Sequence, residues 1–228
     1  TDMMARLVAQ GLTESLGQSV VVDNKPGGNG MVAYQTLMAG PADNHNFIVS
    51  DGSMLSITPQ LNKAATYSVG KELAAVSLIA RSPLFLVAHP KTGVKSLREF
   101  IDKVRANPGL YTYGSSGIGS PHHLAGELLR QKTGVDVVHV PYRGGGATIN
   151  DLLGGHIKVA FLSLSTAVPH LGSGKIKIVA VVEKARYAAM PDIPTIAESG
   201  LPGFDIGAWI GYAAPAGTPK EVTQRLAV

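Results

Sequence analysis

Nine short, apolar, β-rich runs recur along this chain with helical patterns between most of them, and that alternation leaves few folds open. The runs cover residues 19–22, 47–50, 75–80, 84–88, 111–113, 135–140, 157–162, 176–182 and 206–214. Helical spacing of apolar residues covers 31–39, 96–106, 120–132, 147–153 and a short stretch at 166–171. Ser96 with Glu99 three residues on reads as the capping box that opens the second of these. Strand, helix and strand in succession predict α/β architecture with mostly parallel sheets flanked by helices. At 228 residues, two smaller sheets suit the length better than one of nine strands.

Two places where strand runs meet without a helix mark the crossings between those sheets. One is Pro83, between the runs 75–80 and 84–88; the other is the run 206–214. The predicted lobes are therefore 1–82 plus 207–228, and 83–206, joined by two crossing strands as a hinged clamp. A chain that is 45% hydrophobic and 16% charged can bury a core in each, which excludes disorder as a whole-chain reading. No apolar run approaches the ~18 residues a membrane-spanning helix needs. Cysteine is absent, which removes disulfides, thiolate metal sites and cysteine nucleophiles together. The net charge of +4 is carried by scattered residues such as Lys63, Lys71, Arg81 and Lys91. Without a basic stripe interleaved with aromatics, nucleic acid is not the expected partner, and a mild attraction for anionic solutes is.

The chain starts at once on a helical pattern, with Met4, Leu7, Val8, Leu12 and Leu16 apolar and Gly17 as the stop. Near its other end, Thr218-Pro219-Lys220-Glu221 reads as a capping box with proline at the first helical position. Neither an initiating methionine nor a signal sequence is present. The expectation is a piece of something longer.

In parallel sheets ligands bind beyond the carboxyl ends of strands, where helix N-termini offer unpaired amides. The loops at those positions here are built from small polar residues. Asp23-Asn24-Lys25-Pro26-Gly27-Gly28-Asn29-Gly30 is a glycine-rich turn in which Asn29 can donate or accept. Gly114-Ser115-Ser116-Gly117-Ile118-Gly119-Ser120-Pro121 has Ser120 as N-cap and Pro121 as first helical residue, and taken alone it reads equally as a capped helix and nothing more or as a seat for a carboxylate or phosphate. Tyr142-Arg143-Gly144-Gly145-Gly146 and Ser163-Leu164-Ser165-Thr166 repeat the design, and the three should share one edge of the second sheet. Enzyme motifs fail. Residues 114–118 miss the nucleophile elbow because Ile118 is not glycine. Residues 117–119 do not extend to a dinucleotide fingerprint, and 172–176 lack the spacing of a phosphate loop. His123 and Glu127 stand one helical turn apart beside His122, with no third ligand at a recognisable spacing, so a supporting role beside the helix start is expected rather than a metal. Trp209 is read as core or hinge packing, and Arg143 as either an anion partner or a solvated rim charge.

Taken together, Val20 to Gly30, the stretch from Tyr113 to Leu128, His139-Val140-Pro141-Tyr142-Arg143-Gly144 and Asp151-Leu152-Leu153-Gly154-Gly155 resemble the Bug family, the solute-binding receptors of tripartite tricarboxylate transporters. The stretches from Pro191 to Gly203 and from Ala214 to Pro219 fit as well. The resemblance implies a type II periplasmic binding protein: a Venus-flytrap clamp that captures a small carboxylate in its cleft and presents it to membrane transporter subunits. It implies a periplasmic monomer, exported by a leader since removed, with no catalysis, cofactor or metal. The ligand-binding residues expected on this basis are Asn29, Asp51, Ser53, Met54, Ser115, Ser116, Gly119, Ser120, Gly144, Gly145, Ser163 and Ser165. Family members carry a strand and a glycine-rich loop ahead of the position of Thr1, and helices beyond that of Val228.

Many relatives carry aspartate where Leu162 and Lys158 stand here. Their loss disfavours an amino-acid ligand, whose ammonium needs a carboxylate, and favours a plain mono- or dicarboxylate, aromatic ones included; Asp51 keeps the amino-acid reading open. Two other functions compete: an α/β enzyme acting on a carboxylated or phosphorylated metabolite with His122 or His123 as acid or base, and a sensing module for a signalling partner. The missing nucleophile, base and orienting set argues against the first.

Overall fold

The computed structural model describes residues 1–227 except Ala42 and Ala64. The chain divides into two compact units, residues Thr1–Arg81 with Trp209–Val228, and Ser82–Ala208. Val228, the last residue of the predicted first lobe, lies outside the described residues.

The second unit is a five-stranded sheet. Its strands are β3 (Leu84–Ala88), β4 (Thr112–Ser115), β5 (Val138–Pro141), β6 (Val159–Ser163) and β7 (Lys177–Val181), in the order β5-β4-β6-β3-β7. Strand β4 runs parallel to both β5 and β6, whereas β3 is antiparallel to β6 and β7. The sheet is therefore mixed where mostly parallel pairing was expected. Within this sheet β5, β4, β6 and β7 run the same way and β3 runs against them.

All five residues of β3 are buried, because both faces of the sheet are covered. Leu84, Leu86 and Ala88 pack into one core with Phe100, Ile101 and Val104 of α5 (Leu97–Ala106) and Leu129 of α6 (Pro121–Thr133). Phe85 and Val87 pack into another with Ile149 and Leu152 of α7 (Gly145–Gly154) and Ala167 of α8 (Leu164–Leu171). The period of two in β3 divides its side chains between the two cores. Helix α5 buries Leu97, Phe100, Ile101 and Val104, one stripe at helical spacing. Its cap differs slightly from the predicted box: Ser96 Oγ accepts from Glu99 N–H, but the Glu99 carboxylate takes the amide of Lys95.

In the first unit, β1 (Ile48–Asp51), β2 (Leu73–Ser82) and β8 (Ala208–Pro215) form a sheet in the order β1-β8-β2, with β1 antiparallel to β8. Helices α1 (Asp2–Leu16), α2 (Met31–Ala39), α3 (Thr58–Leu61), α4 (Val69–Glu72) and α9 (Lys220–Leu226) complete it. Its core joins Tyr34, Ile48, Met54, Tyr67, Leu73 and Ala213. Tyr34 and Tyr67 stack at 4.3 Å; Tyr67 OH donates to the carbonyl of Met54 and Tyr34 OH to the carboxylate of Glu72. Burial, then the Glu72 charge, pushes the Tyr34 hydroxyl up to about 12.

Three sequence expectations differ here. Residues 19–22 form no strand; Val20 N–H donates to Thr13 Oγ1 and Val21 is 82% exposed, since no strand among the described residues pairs with them. Helix α1 buries Ala5 and Ala9, while Leu7 of the predicted stripe is exposed. Helix α9 forms, but Thr218 does not cap it: its hydroxyl donates to the carbonyl of Pro215.

Gly126, inside α6, faces the ring of the buried Tyr113; a Cβ built there lies 2.2 Å from a ring carbon. Helix propensity alone favours Gly126→Ala by about 1 kcal/mol. Overpacking against a ring that cannot withdraw reverses the sign, and a net loss of about 1–3 kcal/mol in urea denaturation is expected. Gly11→Ala in α1, where nothing lies within 4 Å, should instead gain about 0.5–1 kcal/mol.

Candidate functional site

Because β5, β4 and β6 are adjacent and parallel, their carboxyl ends at Pro141, Ser115 and Ser163 share one edge of the sheet. The start of β3 joins them: Leu84 pairs with Ser163, and the carbonyl of Pro83 accepts from Leu164 N–H at 3.0 Å. The three small-residue loops therefore emerge side by side.

The loop after β4 is held together by its own serines. Ser115, fully buried, accepts from Gly117 N–H at 3.1 Å, and its Oγ lies 2.7 Å from His139 Nε2. Ser120 caps α6: its Oγ accepts from His123 N–H at 3.2 Å and donates to the carbonyl of Gly117 at 2.7 Å. Gly119, at φ 79, donates its amide to His123 Nδ1, and Ser116 Oγ lies 2.7 Å from His122 Nδ1. The hydroxyls of Ser115 and Ser120 are thus fixed in loop structure. The Ser115 carbonyl accepts from Tyr142 N–H at 3.1 Å and from Thr148 Oγ1 at 3.1 Å, which ties this loop to the next one and to the first turn of α7.

Helices α7 and α8 begin differently. The N-cap of α7 is Gly144, at φ 119, and no side chain caps it; Ser163 precedes α8, again without a side-chain cap. These two starts lie together, since a Cβ on Gly145 would come within 2.9 Å of Thr166 Oγ1. Around them Ser163 Oγ lies 3.0 Å from Thr166 Oγ1 and 3.4 Å from Ser165 Oγ. First-turn amides without caps, beside three hydroxyls, form a donor set for an anion. Tyr142 OH donates to the Asp151 carboxylate of α7 at 2.6 Å, and burial followed by that bond drives the phenol upward. Arg143 is exposed.

In the first unit, residues 27–30 all have positive φ, Asn29 (φ 51) being the one that is not glycine. Gly30 lies against Met54, whose side chain is fully buried: a Cβ there would meet Met54 Cβ at 2.9 Å. Met54 is thus core, packed beneath the turn that carries Asn29. Asp51 Oδ1 accepts from Ser53 N–H at 2.9 Å, and the Trp209 indole covers Gly52, with Nε1 3.0 Å from a Cβ built there.

Sequence reasoning missed Thr166 as a site residue and His139 as a partner of Ser115. Parallel pairing places His139 opposite Tyr113, and the rings stack at 4.8 Å, with His123 on the far side of His139 at 4.3 Å. Tyr113 OH donates to Glu127, which also pairs with Arg130 at 2.7 Å. Burial pushes Glu127 up, but those two hydrogen bonds outweigh it and its carboxyl stays below the usual range. Burial drives His123 below the usual imidazole value and His139 down to about 4.

Two α/β units connected by two chain crossings, with glycine- and serine-rich loops at strand ends, make up a solute-binding protein of the periplasmic type. The model of the tripartite tricarboxylate transporter family receptor matches residues 4–228, and the chain belongs to that family. Among its relatives, BugT of Bordetella pertussis is 34% identical over 97% of this chain and 68% of its own length. The solved structure of Rhodopseudomonas palustris Rpa4515 with adipate is similar at 34% identity and a TM-score of 0.96, covering 99% of this chain and 76% of that one. MatC from Rhodopseudomonas palustris with bound malate follows at 31% identity and 0.91, with the same coverage.

Three buried or half-buried histidines set a pH dependence. His139, His123 and His89 all titrate below the ordinary 6.5 in the folded chain, so on acidification the unfolded chain takes up protons first. Their stabilisation is present above about pH 6.5 and is lost as pH falls from there toward about 4, the folded value of His139. Urea midpoints should fall between about pH 6.5 and 5, a window above the carboxylate range, and His139→Phe should flatten that fall.

Proposed function

We propose that this chain binds a small dicarboxylate without chemical turnover, acting as a periplasmic monomer that presents the ligand to the membrane subunits of a tripartite transporter. The observation that carries the reading is the pair of uncapped helix starts at Gly144–Gly145 and Ser163, set together and ringed by the hydroxyls of Ser163, Ser165 and Thr166. One ligand carboxylate accepts from these amides and hydroxyls. Ser116, at the lip of the β4 loop, adjoins the same edge, while Ser115, Gly119 and Ser120 shape the loop. Taken by itself, the first unit offers Asn29, Asp51 and Ser53 on this reading as its polar groups for ligand contact, with Met54 beneath the turn.

Family membership and the adipate and malate held by two similar proteins support the ligand class. Binding by neutral donors suits a receptor, which must release its ligand unchanged. Catalysis would instead need a group that changes protonation within ~3 Å of a reacting partner. The histidines at this edge are turned to serine hydroxyls and to a backbone amide of their own loop.

Calorimetry with adipate and malate tests the assignment. Ser163→Ala and Thr166→Val should each weaken binding by about 1.5–3 kcal/mol, roughly 10- to 100-fold, as befits a hydrogen bond to a charged group. Ser120→Ala should cost about 0.5–2 kcal/mol of stability as a lost cap and change affinity less than either. Equal affinity in all three variants would place the carboxylate elsewhere. A product released from either acid would refute binding without turnover.

A further inference from the structure

Imidazoles hold the loop after β4 at three points: His123 Nδ1 at Gly119 N–H, His139 Nε2 at Ser115 Oγ and His122 Nδ1 at Ser116 Oγ. Only the first has a fixed direction. A backbone amide can only donate, so Nδ1 of His123 has to be the bare acceptor and the ring the neutral tautomer protonated at Nε2. A proton on Nδ1 sets two donors head to head and breaks the contact. Hydroxyls, by contrast, rotate between donor and acceptor as a ring changes state, so the Ser115 and Ser116 contacts survive a change of protonation.

The surroundings of His123 oppose a second proton. The ring of His139 on β5 stacks on it at 4.3 Å, and Tyr113 of β4 stacks beyond that. On its own helix, Glu127 Oε1 lies 3.9 Å from Nε2, but this carboxylate already accepts from Tyr113 OH and pairs with Arg130. A cation at His123 would face Arg130 and the half-buried His139 with only a shared carboxylate to offset it. The consequence reaches the ligand edge through Ser115, whose carbonyl holds Tyr142 N–H and the Thr148 hydroxyl of the first turn of α7.

We propose that His123 is a positioning residue for ligand binding: as a neutral imidazole it clasps Gly119 and fixes the loop from Ser115 to Ser120 beside the first turn of α7, and its protonation opens the clasp and weakens capture of the carboxylate. This rests on the reading that the α7 and α8 starts hold the ligand. The receptor then binds best near neutral pH and lets go in mild acid.

Two variants separate the clasp from general stability. His123→Asn places an Oδ1 acceptor, which does not titrate, near the position of Nδ1; His123→Phe keeps a ring in the stack and removes the acceptor. Amide exchange of the ligand-free protein reads the clasp directly. Gly119 should keep its protection down to about pH 6.5 and lose it as pH falls below that in the wild type, stay protected in His123→Asn and be unprotected throughout in His123→Phe. Titration with adipate, followed by amide shifts, reads the site. Wild-type affinity should fall about two- to tenfold more than that of His123→Asn over the same range, the net worth of one hydrogen bond, with the Asn variant carrying adipate's own titration as baseline. Gly119 protection that ignores pH, or equal pH profiles in wild type and His123→Asn, overturns the proposal. A clasp that titrates while adipate shifts amides away from α7 and α8, or binds at neither pH, upholds the clasp and overturns the site reading and the coupling to capture that rests on it.

Discussion

Where a strand ladder ends, every backbone group beyond it has to find another partner, and at the carboxyl edge of β5, β4 and β6 that demand arises three times side by side. The loop after β4 meets it internally. Ser115 and Ser120 return their hydroxyls to Gly117, and the Ser115 carbonyl reaches the next loop and the first turn of α7. The turns into α7 and α8 do not meet it with side chains, because a glycine stands at one N-cap and the serine at the other turns to its neighbours' hydroxyls. One loop thus satisfies itself, and the two helix starts beside it have no capping side chain, which is the contrast the proposed ligand site rests on. The division of labour follows from which position carries the capping hydroxyl.

On the proposed reading, the same contrast lets this edge hold an anion although Arg143 in its loops is exposed. Helix starts carry partial positive charge and directed N–H groups, each worth roughly 0.3–1 kcal/mol toward an anion, more where water is excluded. Several such donors hold a carboxylate without a buried guanidinium, whose desolvation would have to be overcome each time the site empties.

Much of this was legible in the sequence. Runs such as 84–88 and helices such as α5 show their periods plainly, and the glycines and serines at strand ends named the loops before any geometry was known. What was not legible depended on pairing. Residues 19–22 have the composition of a strand but no neighbouring strand among those described, and composition cannot supply one. The direction of β3, against β6 and β7, is likewise something β propensity does not encode. The serines were legible in part for a related reason: Ser120 reads as the N-cap it is, whereas only three-dimensional contacts bring Ser115 Oγ to Gly117 and His139 and set Thr166 beside Ser163. His139 lies 24 residues from Ser115, and nothing but the parallel register of β4 and β5 brings them together.

The stack of His123, His139 and Tyr113 then has a logic that its members lack singly. Each ring is buried against another, so none can be charged without facing a neighbour that opposes it, and the strongest acid-side effect falls on the middle ring, His139. Glu127 and Arg130 close the outer side as a pair, so the column meets solvent with its charges already matched. An aliphatic column would pack the same strands without responding to pH. Imidazoles add an acceptor directed at Gly119 and a hydrogen bond to Ser115, and those two contacts convert a packing element into one that holds the loop's shape. The cost is stability that declines in acid, which a binding protein tolerates more readily than a loop that wanders.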